Sequence, residues 1–195
     1  MIAFVRGKFT IKTPARVVVD VNGVGYDLQI SLNTYAAISN VESGQLHTYL
    51  HITENAQTLF GFADIAEKEL FLQLISVSGV GASTARMMLS GMKPDEIVRA
   101  IVQGNTKQLE GIKGIGKKSA ERLIVELRDK LSKQSLDTFT SGGLSVQTPD
   151  TDAVHALVAL GIARAQAEQA IKKTMSIIPA DASLELIIKQ ALKNL

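Results

Sequence analysis

The sequence predicts a multidomain α+β protein, with an all-β unit followed by two helical units. Apolar residues alternate with a period of two up to about residue 62, which is typical of strands, and with a period of 3.6 from residue 64, which is typical of helices. Residues 132–150 are rich in Ser, Thr and Gly and have little periodicity, which indicates a linker. The predicted divisions are a β-barrel at 1–63, a helical domain at 64–132, a flexible linker at 133–149 and a three-helix domain at 150–195.

The N-terminal unit contains five short segments that favour strands and one that favours a helical turn at 32–38. Asn22-Gly23 lies between the second and third strands, and both residues tolerate the positive φ of a tight hairpin. Five strands with a small helix suit an OB-like barrel, with an SH3-like barrel as the alternative. The predicted strands are Ile2–Ile11, Arg16–Val21, Val24–Ile30, Leu46–Thr53 and Thr58–Phe62.

A repeat organises the helical domain. The pattern Leu-x-x-Val-x-Gly-Val-Gly-x-x-x-Ala at 74–85 recurs 35 residues later, at 109–120, with Ile in place of both Val residues. Each copy predicts a helix, a Gly-hydrophobe-Gly turn and a second helix, in which the central Val80 or Ile115 packs between the two helices. This pattern is a helix-hairpin-helix motif.

The hairpin turns predict DNA binding, because they leave the first N–H groups and the positive dipole end of a helix facing outward, where a phosphate oxygen binds well. Contacts of this kind show little sequence preference and a strong dependence on salt. The predicted DNA-binding residues are Gly79, Val80, Gly81 and Ser83 in the first hairpin, and Gly114, Ile115, Gly116, Lys117, Lys118 and Arg122 in the second.

The distribution of charge supports the second hairpin. The chain carries a net charge of only +2, yet residues 113–133 hold seven cations and three anions, or +4, so the remainder sums to −2. Lys117 and Lys118 follow the hairpin directly, and Arg122 lies one helical turn beyond Lys118. The first hairpin is poorer in charge, because Arg86 is its only nearby cation.

Several of these features also have structural interpretations. A single Gly-x-Gly turn before a helix is usually structural, but two copies at a fixed offset favour DNA binding. A charged helix is usually a solvated face, and Glu54 alone reads as an exposed turn carboxylate. His47, His51 and His155 have no evident companions for a metal, so we predict neither a metal site nor a cofactor.

Composition excludes several classes of function. The absence of cysteine removes disulfides, thiol chemistry and cysteine-ligated clusters, and fits a reducing compartment. No apolar run approaches the length of a membrane span, and the N-terminus alternates apolar and polar residues, so we expect a cytoplasmic protein without membrane association. No phosphate-binding Gly-x-x-x-x-Gly-Lys-Ser/Thr segment occurs, which argues against ATPase activity.

In the order and length of its units the chain resembles the RuvA family over its whole length. The most specific matching phrases are 22–26 (Asn-Gly-Val-Gly-Tyr), 59–62 (Leu-Phe-Gly-Phe), 79–81, 89–92 (Leu-Ser-Gly-Met) and 114–124. The resemblance implies a non-enzymatic subunit that holds a Holliday junction open in a square-planar form. It further implies a homotetramer, with an octamer on the junction as the alternative, and a role in recombination, repair and the SOS response. The partners that it implies are the hexameric RuvB ATPase, which would hydrolyse ATP, and the RuvC resolvase.

The resemblance also implies roles for two further groups of residues. The family has an acidic pin where this chain has Thr53-Glu54-Asn55, and its usual pattern is Arg-Glu-Asp. Asn55 therefore removes one of two carboxylates, so four pins would carry four negative charges instead of eight. The apolar surface that binds RuvB, on a three-helix UBA-like domain, corresponds to Leu157, Leu160, Ile162 and Leu192, where Ile162 replaces an expected aromatic residue. Core packing is the alternative for these leucines.

Two other classes of function compete with this interpretation. A helix-hairpin-helix glycosylase would place a catalytic lysine near Gly116-Lys117-Lys118, but the Asp expected some 18 residues later falls at Asp137 in the predicted linker. A structural module whose hairpins bind protein would lack salt-sensitive DNA binding.

Overall fold

The computed structural model describes residues 1–140, 149–175, 177 and 182–194, and gives only the backbone of residues 133–140 and 149–151. The chain forms two compact units, Met1–Leu136 and Asp137–Leu195. Among the described residues, no helix has both the length and the apolar character needed to cross a membrane.

The first unit begins with a closed five-stranded barrel in the order β1-β2-β3-β5-β4. β1 pairs with β4 through its first half and with β2 through its second half, and a bulge between Phe9 and Ile11 lets it bend. β3 and β5 pair in parallel. A helix between β3 and β4 completes an OB-like arrangement, which decides against the SH3-like alternative. The elements are β1 (Phe4–Thr13), β2 (Arg16–Val21), β3 (Val24–Ile30), α1 (Leu32–Ile38), β4 (Ser43–Ile52) and β5 (Gln57–Phe62).

The structure confirms the predicted Asn22-Gly23 hairpin. Asn22 has a φ of 52° and Gly23 a φ of 88°, and Val21 pairs with Val24 across the two-residue turn. The Gly23 N–H donates to the Asp20 carboxylate at 2.7 Å. The turn therefore sets the register in which the inward residues of β2 and β3 meet in the barrel interior.

Five helices follow the barrel and share one apolar core. The Asp64 side chain accepts a hydrogen bond from the Ala66 N–H at 3.0 Å and caps the first of them, at the residue where the sequence pattern changes period. The helices are α2 (Ile65–Ile75), α3 (Ala82–Gly91), α4 (Pro94–Val102), α5 (Thr106–Glu110) and α6 (Lys117–Thr140).

The helix α6 corrects the predicted start of the linker. We expected helical structure to end at residue 132, but α6 continues to Thr140. The chain contains no Gly or Pro between residues 117 and 141, so nothing interrupts the helix before Gly142-Gly143. The rest of the predicted linker, 141–148, lies outside the described residues.

The barrel and the five helices are packed together as parts of one unit. Phe60 and Phe62 of β5 point out of the barrel and are 4% and 2% exposed. Their rings lie 5.1 and 5.0 Å from the ring of Phe71 on α2, and Tyr49 of β4 lies 5.7 Å from the same ring. This aromatic cluster joins the predicted domains 1–63 and 64–132.

The second unit contains a bundle of α7 (Pro149–Ala159), α8 (Arg164–Met175) and α9 (Leu184–Lys193). Gly161, with a φ of 93°, follows α7 and allows the chain to turn into α8. Thr174 is fully buried, and its hydroxyl accepts a hydrogen bond from the Asn194 amide at 3.0 Å. The small core consists of Ala153, Leu157, Ala167, Ala170, Ile171, Ile187 and Ala191.

Candidate nucleic-acid interface

The two hairpins have nearly the same backbone geometry. Gly79 has a φ of 91° and Gly114 a φ of 95°, values that favour glycine. The sequence repeat is therefore a structural repeat, formed by α2 and α3 in the first hairpin and by α5 and α6 in the second. The matching N–H to O=C distances are 3.0 Å for Val80 to Val77 and Ile115 to Ile112, and 2.9 Å for Ala85 to Gly81 and Ala120 to Gly116.

The central residues of the hairpins are packed inside the protein. Val80 and Ile115 are each 5% exposed, and their N–H groups already donate to carbonyls of the preceding turn. This corrects their prediction as DNA-contacting residues, because the side chains are buried and the N–H groups already have acceptors within the chain. Both side chains pack in the apolar core and so hold the turn in place.

The second glycine of each hairpin has neither a positive φ nor a close neighbour, and its surroundings are open space. Positive φ values occur at Gly79 and Gly114 but not at Gly81 and Gly116 among the glycines that the structure describes. A Cβ added at Gly81 or Gly116 would meet no protein atom within 4 Å. Nothing inside the unit therefore requires glycine there, and the space permits the backbone of a ligand to approach the N-terminus of α3 or α6.

The side chains at the start of α6 are basic and exposed. Lys117 and Lys118 are the first two residues of the helix. Arg122 is half exposed and forms an ion pair with Glu126 at 2.7 Å. An exposed i, i+4 pair contributes only about 0.3–0.5 kcal/mol, so Glu126 does not prevent the guanidinium from meeting a phosphate.

The first hairpin presents neutral groups. Ser83 is exposed and Thr84 half-buried at the start of α3, and this helix has no side-chain cap at Gly81. Arg86, the one cation that the sequence places near this hairpin, donates instead to the Ala15 carbonyl at 3.1 Å and to the Gln29 side chain. The two hairpins thus share a backbone geometry but differ in charge.

The predicted pin is a tight turn between β4 and β5. The Thr53 N–H donates to the Ala56 carbonyl at 2.9 Å, and the Thr53 hydroxyl accepts from the Ala56 N–H at 3.2 Å. Glu54 and Asn55 lie exposed at the tip. Thr53 therefore holds the turn closed.

The bundle separates the four predicted docking residues into two groups. Leu157 is fully buried, which corrects its prediction as a docking residue: it lies in the bundle core and is covered by α8 and α9. Ile162 is partly buried against that core. Leu160 and Leu192 are 64% and 44% exposed and remain accessible.

Other apolar side chains of the same unit, which the sequence pattern did not reveal, are also exposed. Val158 is 41% exposed and Leu186 46% exposed. Helical periodicity places both on amphipathic segments but does not reveal which apolar positions a short helix leaves uncovered. Only the packing of three helices decides this.

Comparisons with known proteins match all three regions. Residues 1–61 match the family model of the RuvA N terminal domain, 71–129 the SAM-like helix-hairpin-helix tandem, and 149–195 the RuvA C-terminal domain. The chain is 45% identical over 196 residues to a protein of Flavobacterium psychrophilum, covering all of both chains. It is 43% identical to proteins of Cytophaga hutchinsonii and Geobacter sulfurreducens, with at least 99% of each chain covered. All three relatives are named Holliday junction branch migration complex subunit RuvA.

Proposed function

This chain belongs to the RuvA family, and on that basis we propose that it binds four-way (Holliday) DNA junctions, holds them open and recruits the RuvB ATPase for branch migration in recombination and repair. ATP hydrolysis belongs to RuvB, so the chain is a non-catalytic DNA-binding subunit of the complex. Family membership also removes the glycosylase interpretation of Lys117.

The observation that carries this proposal is the pair of equivalent hairpins in one unit. Each places the N-terminus of a helix beside a glycine with open space around it, at Gly81 and at Gly116. Two such sites suit two phosphate tracks of a duplex arm, and they recognise the DNA backbone without regard to sequence. Junction specificity must therefore come from how several arms are held together.

We assign the DNA contacts as follows. Backbone N–H groups around Gly79 and Gly81 and the Ser83 hydroxyl serve the first hairpin. Those around Gly114 and Gly116 serve the second, where Lys117, Lys118 and Arg122 add charge. The second hairpin accounts for most of the counterion release, because the cations of this interface lie there.

The pin turn lies at the junction centre in this proposal. Glu54 repels phosphates there and favours separated strands, while Asn55 contributes a neutral amide. With one carboxylate per pin, the chain repels phosphates less strongly than a pin with two.

We further propose a homotetramer, because four copies related by a fourfold axis match the four arms of the junction. A second tetramer on the opposite face would form an octamer. RuvC would act on the junction face that a single tetramer leaves open. We also propose a cytoplasmic location, because the proposed substrate is DNA.

RuvB docking belongs to the C-terminal bundle in this proposal. Leu160 and Leu192 supply accessible apolar surface, and Ile162 supports it from the edge of the core. Leu157 contributes only by holding the bundle together.

A gel-shift titration of a synthetic four-way junction against linear duplex of equal length, without ATP and at two salt concentrations, tests the function. We expect the junction to bind much more tightly than the duplex, and both to weaken as salt rises. Equal affinities would reduce the hairpins to general phosphate-binding elements and would overturn the assignment.

A further inference from the structure

The barrel segment at 29–34 forms directional hydrogen bonds to both helices of the first hairpin. The Asn33 amide of α1 donates to two carbonyls at the C-terminal end of α3, Leu89 at 2.6 Å and Met92 at 2.9 Å. These carbonyls have no partner within an ideal helix, so the amide caps the end of α3. A residue of the barrel thereby fixes the end of the helix whose other end begins at the hairpin.

Three more hydrogen bonds join α3 to the barrel. Arg86 donates to the Ala15 carbonyl and the Gln29 side chain, and the Leu32 N–H donates to the Ser90 hydroxyl at 3.1 Å. Together with Asn33, these contacts engage residues on successive turns of α3, from Arg86 to Met92.

The other helix of the hairpin, α2, is held through a buried carboxylate. Glu67 is only 3% exposed and accepts hydrogen bonds from the hydroxyls of Ser31 and Thr34, the latter at 2.6 Å. Each hydroxyl also accepts a backbone N–H, from Thr34 at 3.0 Å and from Ala63 at 3.1 Å. Because each hydroxyl has one proton and a backbone donor fixes its orientation, the geometry around Glu67 is tightly defined.

These contacts differ in kind from the aromatic cluster of Tyr49, Phe60, Phe62 and Phe71. Apolar burial favours association of the barrel and α2 but is not directional, so it defines their relative orientation weakly. Hydrogen bonds depend steeply on angle, and those formed by Ser31, Leu32, Asn33, Thr34 and Arg86 define that orientation. We call this group the barrel–hairpin hydrogen bonds.

We propose that the barrel–hairpin hydrogen bonds hold the first hairpin in a fixed position relative to the pin turn, and that Asn33, Arg86 and Glu67 are positioning residues for junction recognition. The proposal rests on the proposed function. The pin turn belongs to the barrel, and the hairpin belongs to the helices. The barrel–hairpin hydrogen bonds therefore determine whether the hairpin can bind phosphates of an arm while the pin turn lies at the crossover.

Duplex and junction DNA make different demands on this geometry. A linear duplex needs only the hairpins, whereas an open junction also needs the pin in register with them. Loosening the barrel–hairpin hydrogen bonds should therefore weaken junction binding far more than duplex binding.

The test uses the full chain carrying Asn33→Ala together with Arg86→Ala. We expect the preference for a four-way junction over duplex to fall at least about fivefold, the scale of one lost neutral hydrogen bond. The fluorescence of 2-aminopurine at the crossover, which reports unstacked bases, should fall towards that of a stacked junction. A double variant with Arg86→Lys in place of Arg86→Ala keeps the charge and one donor site. It should recover part of the junction preference and part of the fluorescence.

A matched control is Thr48→Val, which removes the hydrogen bond of 2.7 Å that the buried Thr48 residue donates through its hydroxyl to the Ile2 carbonyl, within the barrel. Unfolding measurements show whether the two variants lose similar stability. Junction preference should survive in Thr48→Val, and an equal loss there would overturn the proposal, since general destabilisation would then explain it.

Two further outcomes are decisive. Unchanged preference and fluorescence in the double variant would overturn the positioning role. A salt slope for duplex binding that drops by about one in Arg86→Ala would show that Arg86 contacts phosphate, and would also overturn its assignment. If the wild-type chain shows no junction preference, the proposed function itself fails, which is a separate result.

Discussion

At the scale of single residues, the two glycines of a hairpin turn serve different purposes. Gly114 has a φ of 95°, whereas Gly116 has open space around its α-carbon. We expect Gly114→Ala to lower the free energy of unfolding by about 1–2 kcal/mol, the cost of a left-handed backbone for a residue with a Cβ. Gly116→Ala should change it by less than about 0.5 kcal/mol.

DNA binding should separate the same two variants in a gel shift. Gly116→Ala places a methyl group in the space proposed for a phosphate, so junction affinity should fall although the fold is intact. Gly79→Ala and Gly81→Ala form an independent pair in the first hairpin. If Gly116→Ala binds the junction as tightly as wild type, the proposal that a phosphate binds at this position is wrong.

The buried carboxylate of Glu67 makes a prediction about pH. Burial raises the pKa of Glu67, hydrogen bonds from Ser31 and Thr34 oppose the shift, and the charge of Asp64 adds to it. A carboxyl group with a raised folded-state pKa binds its proton more tightly in the folded chain. Its contribution to stability is therefore complete below the ordinary pKa of 4.5 and is lost as pH rises through the raised value.

Urea unfolding between about pH 4 and pH 8 measures this effect. The unfolding free energy of wild type should decrease, relative to that of Glu67→Gln, as pH rises through the raised pKa of Glu67, because the variant lacks the titrating group. Glu69→Gln removes a carboxylate from an exposed position on the same helix and is the control for the loss of charge. Parallel pH curves for wild type and Glu67→Gln would contradict the prediction.

At the scale of elements, the start of α6 carries the charge of the interface. Replacing both Lys117 and Lys118 by Ala should weaken junction binding and reduce the slope of log affinity against log salt by about 1.8, or about 0.9 for each lost phosphate contact. Lys172→Ala with Lys193→Ala makes the same change in net charge on exposed positions of the bundle. If the slope of log affinity against log salt drops equally in both double variants, net charge explains the effect and Lys117 and Lys118 do not contact phosphates.

The pin turn can be tested by adding the carboxylate that this chain lacks. Asn55→Asp should increase 2-aminopurine fluorescence at the crossover while duplex affinity stays unchanged, because the added charge repels phosphates only where the pin meets the junction. Asn22→Asp adds the same charge to another exposed barrel turn and should have no effect on the crossover. No change in fluorescence in Asn55→Asp would argue against a pin at this turn.

At the scale of the whole molecule, the proposed function assigns DNA binding and motor recruitment to different units. The core of the barrel and hairpins is complete within Met1–Leu136. Deleting residues 150–195 should therefore spare junction binding and abolish stimulation of the RuvB ATPase. Loss of junction affinity in the deletion variant would show that the units do not act separately.

A point substitution refines this experiment. Leu160→Glu changes an exposed position and should reduce RuvB stimulation while the bundle remains folded. Leu157→Ala removes a buried side chain and should cost about 2–5 kcal/mol in bundle stability. Full stimulation by Leu160→Glu would place the docking surface elsewhere on the bundle.

The sequence alone determined the order of elements and the presence of two hairpins, whereas the strand pairing decided between an OB-like and an SH3-like barrel. The order of elements and the hairpins follow from local signals: a period of two or 3.6, Asn22-Gly23 at a tight turn, and glycines at 79 and 114 where the backbone needs positive φ. Such signals act within a few residues, so the linear pattern contains them. The same local logic failed at residue 132, because low periodicity did not end a helix that contains no breaker.

The tertiary structure decided which side each side chain faces. Leu157 lies in α7 and Leu160 directly follows its end, yet the first is buried in the bundle core and the second is exposed, because the packing of α8 and α9 against α7 covers only Leu157. Arg86 reads as a cation beside a hairpin, but distant residues Ala15 and Gln29 accept its hydrogen bonds. Contacts between residues far apart in the chain leave no trace in local periodicity, so only the packed structure reveals them.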